Sequence, residues 1–189
     1  VMKERQADDI FHEGACAQRN VRGRSVFEHF LVGEGVHKRV AIVADQGRRS
    51  GMYAEGMKKA LQNREKIKDC LNRYRDDEHK IPAAEEYWPV AAFCCNCNKD
   101  TTEIVSYDGE YGLEYRCTSC GHQEKADLRT SKELKLGWRV DWPMRWQFEK
   151  TVFEPAGKDH HSQGGSFDTA RLVADEIYQW PAPISFRYD

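Results

Sequence analysis

Five of the chain's seven cysteines fall between Cys94 and Cys120, and their spacing has the form of a metal site. Cys94 and Cys97 make one CxxC pair, and Cys117 and Cys120 make a second. Two thiolates three positions apart on a tight turn can both reach one ion. Two such turns complete a tetrahedral S4 set, which suits Zn²⁺. Four thiolates leave no position for water or substrate, so the expected zinc is structural rather than catalytic. Cys95 is a spare thiol that could replace a neighbour as ligand, and His122 lies beyond a complete set of four. The nineteen residues between the pairs, 98–116, fit a β-hairpin. Thr102–Tyr107 would go out, Asp108-Gly109-Glu110 would turn, and Tyr111–Arg116 would return, with Asp-Gly as a strong turn signal. Gly121 gives the chain room to turn beneath the metal. The segment reads as a zinc ribbon.

Two further segments carry chemistry. Trp138-Arg139-Val140-Asp141-Trp142-Pro143-Met144-Arg145-Trp146 puts three tryptophans, two arginines and an aspartate into nine residues. So many large groups beside a proline predict a pocket wall rather than a regular element. Gly157-Lys158-Asp159-His160-His161 follows a predicted strand, Thr151-Val152-Phe153. Gly164-Gly165-Ser166-Phe167-Asp168-Thr169 then leads into a predicted helix, Thr169–Tyr178, capped by Asp168 or Ser166. A glycine-bearing helix start at the carboxyl end of a strand is a place where an anion or a ribose can approach. Neither GxxxxGK[ST] nor GxGxxG occurs, so a nucleotide would bind in some other way.

These groups need a scaffold. Val40–Ala44 reads as a buried strand. Met57, Ala60, Leu61, Ile67, Cys70, Leu71 and Tyr74 recur at helical spacing from Met52 to about Arg75. Lys58, Lys59, Arg64, Lys66 and Lys68 fall on the opposite face. A strand followed by an amphipathic helix predicts a βα unit of a parallel sheet. Asp76–Lys80 reads as a solvated loop, Leu134–Leu136 as apolar, and Ile184–Tyr188 as a last strand. At 189 residues with 40% hydrophobic content, the chain can form one domain with a small insert. Its net charge of −2 argues against a protein that coats nucleic acid. The longest apolar run, Val40–Ala44, is too short for a membrane span or a signal-peptide core. An odd, clustered cysteine set without such a core predicts a reducing compartment and a cytoplasmic protein. The abrupt ends at Val1 and Asp189 predict a piece of a longer protein.

In order, Tyr87-Trp88-Pro89, the cysteine cluster, WRVDWPMRW, FEPAGKDH, GGSFDT and the ending APISFRY resemble class I lysyl-tRNA synthetases. The likeness runs from about Gly51 to Asp189. Before that it rests on Phe27-Glu28-His29-Phe30 and the Val40 strand. The resemblance implies an α/β fold: a Rossmann-type parallel sheet, incomplete here, with an inserted β zinc ribbon. It divides the chain into part of the first half of a catalytic domain (1–92), the ribbon (93–126) and the truncated second half (127–189). It implies lysine, ATP with Mg²⁺ and tRNA(Lys) as partners, and no membrane. Trp138, His160 and Tyr188 fall where the family's lysine pocket lies. Asp141 or the Trp138 face would meet the substrate ammonium; alternatively, Asp141 would hold Arg139 or Arg145. Gly164, Gly165 and Asp168, with Gly157 and Asp159 of the GKDH segment, fall on the ATP side.

The sequence departs from the family in three respects, one of them the missing helical anticodon-binding region. It contains no HIGH-type motif, for which His12-Glu13-Gly14-Ala15 is no substitute, and no KMSKS-type loop. Those elements hold ATP phosphates and stabilise the transition state, so this chain alone is expected to be an incomplete enzyme. A second reading is a non-catalytic zinc-ribbon module, derived from a synthetase, that binds RNA or protein.

Overall fold

A computed structural model describes residues 51–188, so the readings for Val40–Ala44 and for everything earlier lie outside the described residues. Two helices open the described chain, α1 (Ala54–Gln62) and α2 (Arg64–Asn72). One continuous helix was expected there. The break falls at Asn63, whose side-chain amide donates to the Lys59 carbonyl at 2.8 Å and whose backbone N–H is shared between Lys59 and Ala60. A short polar side chain that bonds its own backbone competes with helix continuation. The predicted apolar face is buried: Met57, Ala60, Leu61, Ile67, Cys70 and Leu71. Tyr74 is exposed instead. Lys68 departs from the sequence reading too, being only 5% exposed. Its ammonium donates to the carbonyls of Ala83 and Glu85 at 3.2 and 3.0 Å and lies 2.7 Å from Glu65. The 83–85 loop thus folds over the polar face and supplies the oxygens that a buried cation requires.

Strands β1 (Val90–Ala92) and β5 (Leu134–Leu136) pair antiparallel, with Val90 opposite Leu136 and Ala92 opposite Leu134. Residues 93–133 hang from that ladder. Within them, β2 (Thr102–Tyr107), β3 (Gly112–Cys117) and β4 (Gln123–Asp127) form a three-stranded antiparallel sheet in the order β2-β3-β4. The expected hairpin is present. Its turn has Gly109 at φ +87°, and Asp108 Oδ1 accepts the backbone N–H groups of Glu110 and Gly112. The third strand, β4, was not anticipated, because Gln123–Asp127 carries too many charges to read as a strand.

The ribbon is not a free appendage. Leu113, Tyr115, Ala126 and Leu128 belong to the same apolar core as Met57, Leu61, Ile67 and Val140. The hairpin tip also grips α1. Lys58 pairs with Glu110, the Tyr111 hydroxyl donates to Glu55, and the Gln62 amide donates to the Gly109 carbonyl at 2.8 Å. The Lys58 ammonium and the Arg129 guanidinium each lie 4.5 Å from the centre of the Tyr111 ring.

Helix α3 (Trp138–Glu149) corrects the expectation of an irregular pocket wall. Its interior Pro143 cannot donate to the preceding turn, yet the helix runs through it. The face it presents decides the matter: Val140, Trp142, Met144 and Trp146 are all buried. Helix–core packing outweighs one missing bond.

Beyond α3 the chain makes a parallel pair. Phe153 bridges Ile184, and β6 (Ala156–Gly157) pairs with β7 (Arg187–Tyr188) in parallel. Backbone bonds Ile184 N–H to Val152 O, Glu154 N–H to Ile184 O and Ala156 N–H to Phe186 O join the two into one ladder. The crossover is a 3₁₀ turn (Lys158–His161), then α4 (Ser166–Val173), continued by a π turn (Ala174–Tyr178). Parallel neighbours require such a crossover. The cap of α4 is Gly165, not Ser166 or Asp168, while Asp168 reaches back to accept the Gly164 N–H at 3.0 Å. The described residues thus form a mixed α/β structure with three small sheets, one of them parallel. No helix among them is long and apolar enough to cross a membrane.

Candidate functional site

The two CxxC turns are built alike. In the first, Asn98 N–H donates to Cys94 O and Cys94 N–H to Lys99 O, both at 2.8 Å. In the second, Gly121 N–H donates to Cys117 O at 2.9 Å and Cys117 N–H to His122 O at 2.8 Å. The residue four positions after each leading cysteine is left-handed, Asn98 at φ 60° and Gly121 at φ 75°. Glycine, and next to it asparagine, adopt that region most readily. The geometry answers the earlier reading of Gly121 and adds Asn98 as its counterpart.

These turns bring four sulfurs together, all within 4.8 Å of one another. The closest contacts run between the turns, Cys94 to Cys120 and Cys97 to Cys117, each at 3.6 Å. A tetrahedral ion with metal–sulfur bonds of about 2.3 Å sets its sulfurs about 3.8 Å apart. The cluster therefore fits such an ion in donor chemistry and in size. Burial opposes ionisation of Cys117, but N–H groups of Cys120 and Ser119 and the Cys97 thiol outweigh it and draw it down. The Lys99 N–H favours a Cys97 thiolate, yet burial and the neighbouring sulfurs push it up. Cys97 and Cys117 thus hold their protons unequally, and an entering cation must displace thiol protons.

The second candidate site lies around α3 and the parallel pair. Trp138, Trp142 and Trp146 recur every four residues on one face of α3; the Trp138 ring stacks on Trp142 at a centroid distance of 5.1 Å, and Trp146 meets Trp142 tilted at 5.0 Å. Their exposures fall from 47% to 4% to 1%. Only Trp138 is open to a ligand; the other two anchor it. The His160 ring completes the group, 6.2 Å from Trp138 and 5.6 Å from Trp142. Its Nδ1 is 2.7 Å from the hydroxyl of buried Ser166. Asp141, one turn along α3, lies 3.3 Å from Arg145 Nε.

Tyr188 stands opposite Gly157 in the β6–β7 register, where the 3₁₀ turn bearing Asp159 and His160 begins. Gly164 has φ 71°. A Cβ on Gly165 would lie 2.7 Å from the carbonyl oxygens of both His160 and Ser162. Beneath the turn, burial raises the pKa of Glu154, although the Trp146 indole N–H donates to its carboxylate at 3.2 Å. The structure therefore brings Trp138 together with His160, and Gly157 together with Tyr188. Sequence reasoning passed over Trp142, Ser166 and Glu154. The four-residue tryptophan spacing was the one signal that could have found Trp142.

A family model described as tRNA synthetases class I (K) matches residues 21–189. The lysine–tRNA ligase of Treponema pallidum (strain Nichols) is 59% identical over 140 residues, covering 74% of this chain and 26% of that protein. The lysine–tRNA ligase of Borreliella burgdorferi is 44% identical over 187 residues, covering 98% of this chain and 34% of that protein. That of Pyrococcus furiosus is 42% identical over 141 residues, covering 75% and 26%. The chain spans about a quarter to a third of the length of these relatives.

Proposed function

Since the chain belongs to the class I (K) tRNA synthetases, we propose that it supplies the lysine- and ATP-binding part of a lysine–tRNA ligase that activates lysine as lysyl-adenylate and transfers it to tRNA(Lys). The observation that carries the reading is the half-exposed Trp138 set beside His160 at the end of the parallel pair. In this reading the parallel pair belongs to a Rossmann-type sheet. Residues 1–92 and 127–189 contribute to the two halves of the catalytic domain, and 93–126 form the inserted ribbon.

Trp138 and Tyr188 wall the methylene stem of lysine. The Trp138 face, with Asp141 nearby, meets the ammonium, because an ammonium left without an anion or ring would cost more than stem burial returns. Ser166 engages His160 Nδ1, which leaves Nε2 to face the substrate carboxylate. Gly157, Asp159, Gly164, Gly165 and Asp168 border the ATP side, where an absent Cβ allows close approach. ATP arrives with Mg²⁺, which neutralises phosphate charge. Zn²⁺ on Cys94, Cys97, Cys117 and Cys120 would supply folding free energy to the ribbon and no chemistry at the substrate.

The test is lysine-dependent ATP–pyrophosphate exchange by a protein that joins this chain to in-frame HIGH- and KMSKS-type elements. Exchange with lysine and not with other amino acids is the expected result. The 189-residue chain alone is expected to give none. No exchange by the joined protein, with RNA or protein binding retained, would replace this reading with that of a binding module.

In the joined protein, Trp138→Phe should weaken lysine binding several-fold, about 1 kcal/mol, through the smaller ring face and lost apolar contact. The melting temperature should stay nearly unchanged, because the native ring is already half in water. A lowered melting temperature with intact lysine affinity would make Trp138 a core residue instead.

A further inference from the structure

We propose that Cys95, His122 and Glu124 form a second metal site on the ribbon, one that takes Zn²⁺ or a like cation and leaves one coordination position open to solvent. The proposal lies outside the S4 set, and none of its three ligands is shared with it.

The geometry carries the inference. Cys95 Sγ lies 3.2 Å from His122 Nε2, His122 Nε2 lies 3.1 Å from Glu124 Oε2, and Cys95 Sγ lies 3.6 Å from Glu124 Oε2. With metal bonds of about 2.3 Å to sulfur, 2.0 Å to nitrogen and 2.1 Å to oxygen, a tetrahedral ion sets these edges at about 3.4–3.6 Å. The triangle is within about 0.4 Å of one face of that tetrahedron on every edge. Three protein ligands and one open position is the arrangement of zinc sites that exchange a ligand.

A thiol, an imidazole and a carboxylate also have the composition of a nucleophilic relay. A relay places the thiol on one ring nitrogen and the carboxylate on the other, so that a proton can pass through the ring. Here both contacts fall on Nε2. One nitrogen has one proton or one lone pair, and it cannot both take a proton from the thiol and give one to the carboxylate. Three donor atoms converging on a point suit a cation, which neutralises a thiolate and a carboxylate together.

The ligands are also held in advance. The Cys95 N–H donates to the Tyr115 hydroxyl at 3.2 Å, and Tyr115 is fully buried. Glu124 pairs with Tyr115 in the β3–β4 register, and the His122 carbonyl closes the second CxxC turn. His122 and Glu124 are two residues apart at the start of β4, which puts both on one face. Side-chain exposures of 32% for His122 and 40% for Glu124 give water access to the fourth position.

The test is zinc stoichiometry of the full 189-residue chain after equilibrium dialysis against zinc chloride, with metal read by mass spectrometry. The chain should hold about two zinc ions, and His122→Ala or Glu124→Gln about one, with at least a tenfold loss of affinity for the second. His122→Cys should restore the second ion, because a thiolate can ligate where a merely structural imidazole could not be replaced. Cys95 is exposed and the other two are only half-buried, outside the core, so the variants should fold. One zinc in the wild type, undiminished in His122→Ala and Cys95→Ser, would overturn the proposal. So would loss of both ions in His122→Ala, which would place His122 in the S4 set. A single zinc lost in His122→Ala but kept in Cys117→Ser would uphold this site and refute the S4 assignment instead.

Discussion

Cys117→Ser should leave the S4 centre without its zinc and unravel the three-stranded sheet that the centre organises. The turns bearing Cys94 and Cys117 are each closed by two backbone hydrogen bonds. Their side chains point four sulfurs at one place, and without a cation those sulfurs repel or must share protons. Structural zinc is worth about 10–16 kcal/mol of apparent binding in small finger domains, and that energy is folding energy. The sheet's other supports are the three-residue β1–β5 ladder, the tip contacts with α1, and Leu113, Tyr115, Ala126 and Leu128 in the shared core. Metal analysis of freshly purified wild-type protein should find zinc in this centre, and the variant should lack it. Amide exchange should speed up by orders of magnitude in β2, β3 and β4, while α2, α3 and α4 keep their protection. Wild-type protein free of zinc would end the idea, as would a zinc stoichiometry unchanged after all four cysteines are replaced.

Gly165→Ala is expected to have the largest effect on the substrate side. The φ of −67° at Gly165 is open to any residue, so the objection to alanine is purely steric. The added carbon would meet the carbonyl oxygens of His160 and Ser162 at 2.7 Å and the Ser162 hydroxyl at 2.8 Å. Two of those three atoms are backbone, and they belong to the turn that presents His160. Relief requires that the turn and α4 separate, which breaks the Gly165 N–H to Ser162 O bond of 2.7 Å and moves Ser166 from His160. Overpacking of this kind costs about 1–3 kcal/mol. In the joined protein, a displaced histidine should lower lysine-dependent exchange by about a hundredfold or more, since small misplacements of a positioning group have that scale. Gly109→Ala is the control. It has nothing within 4 Å of the new carbon but a φ of +87°, so it should cost about 1 kcal/mol and leave exchange intact. Equal melting temperature and exchange for Gly165→Ala and wild type would refute the steric account.

Legibility in the sequence followed the range of the forces involved. The hairpin was readable because Asp108-Gly109 specifies its own turn, and the sulfur cluster because CxxC spacing is a local constraint. The extended runs near Phe153 and Ile184 were readable from composition, although only the fold shows that they pair in parallel. Helix α3 was missed because Pro143 and the large aromatics argue against a helix locally, while the burial of Trp142, Met144 and Trp146 decides for it globally. Lys68 was assigned to solvent because its partners, the carbonyls of Ala83 and Glu85, come from a loop whose path no periodicity describes. The break at Asn63 depends on one side-chain amide. The residues proposed for a lysine pocket were named from family resemblance, and the four-residue spacing of Trp138, Trp142 and Trp146 became meaningful only once they were on a helix.

The grip of the hairpin tip on α1 gives the ribbon two attachments of different character. The β1–β5 ladder and the shared apolar core depend little on ionic strength. The tip depends on Lys58–Glu110, whose carboxylate largely faces water, and on the Lys58 ammonium against the Tyr111 ring, contacts that dissolved ions screen. Added salt should therefore act on the ribbon as a selective release, opening a latch while the hinge stays shut. The hairpin tip would then part from α1 while the shared core and the sulfur cluster stay in place. The closeness of the hairpin tip to α1 becomes a quantity set by the solution as well as by the chain.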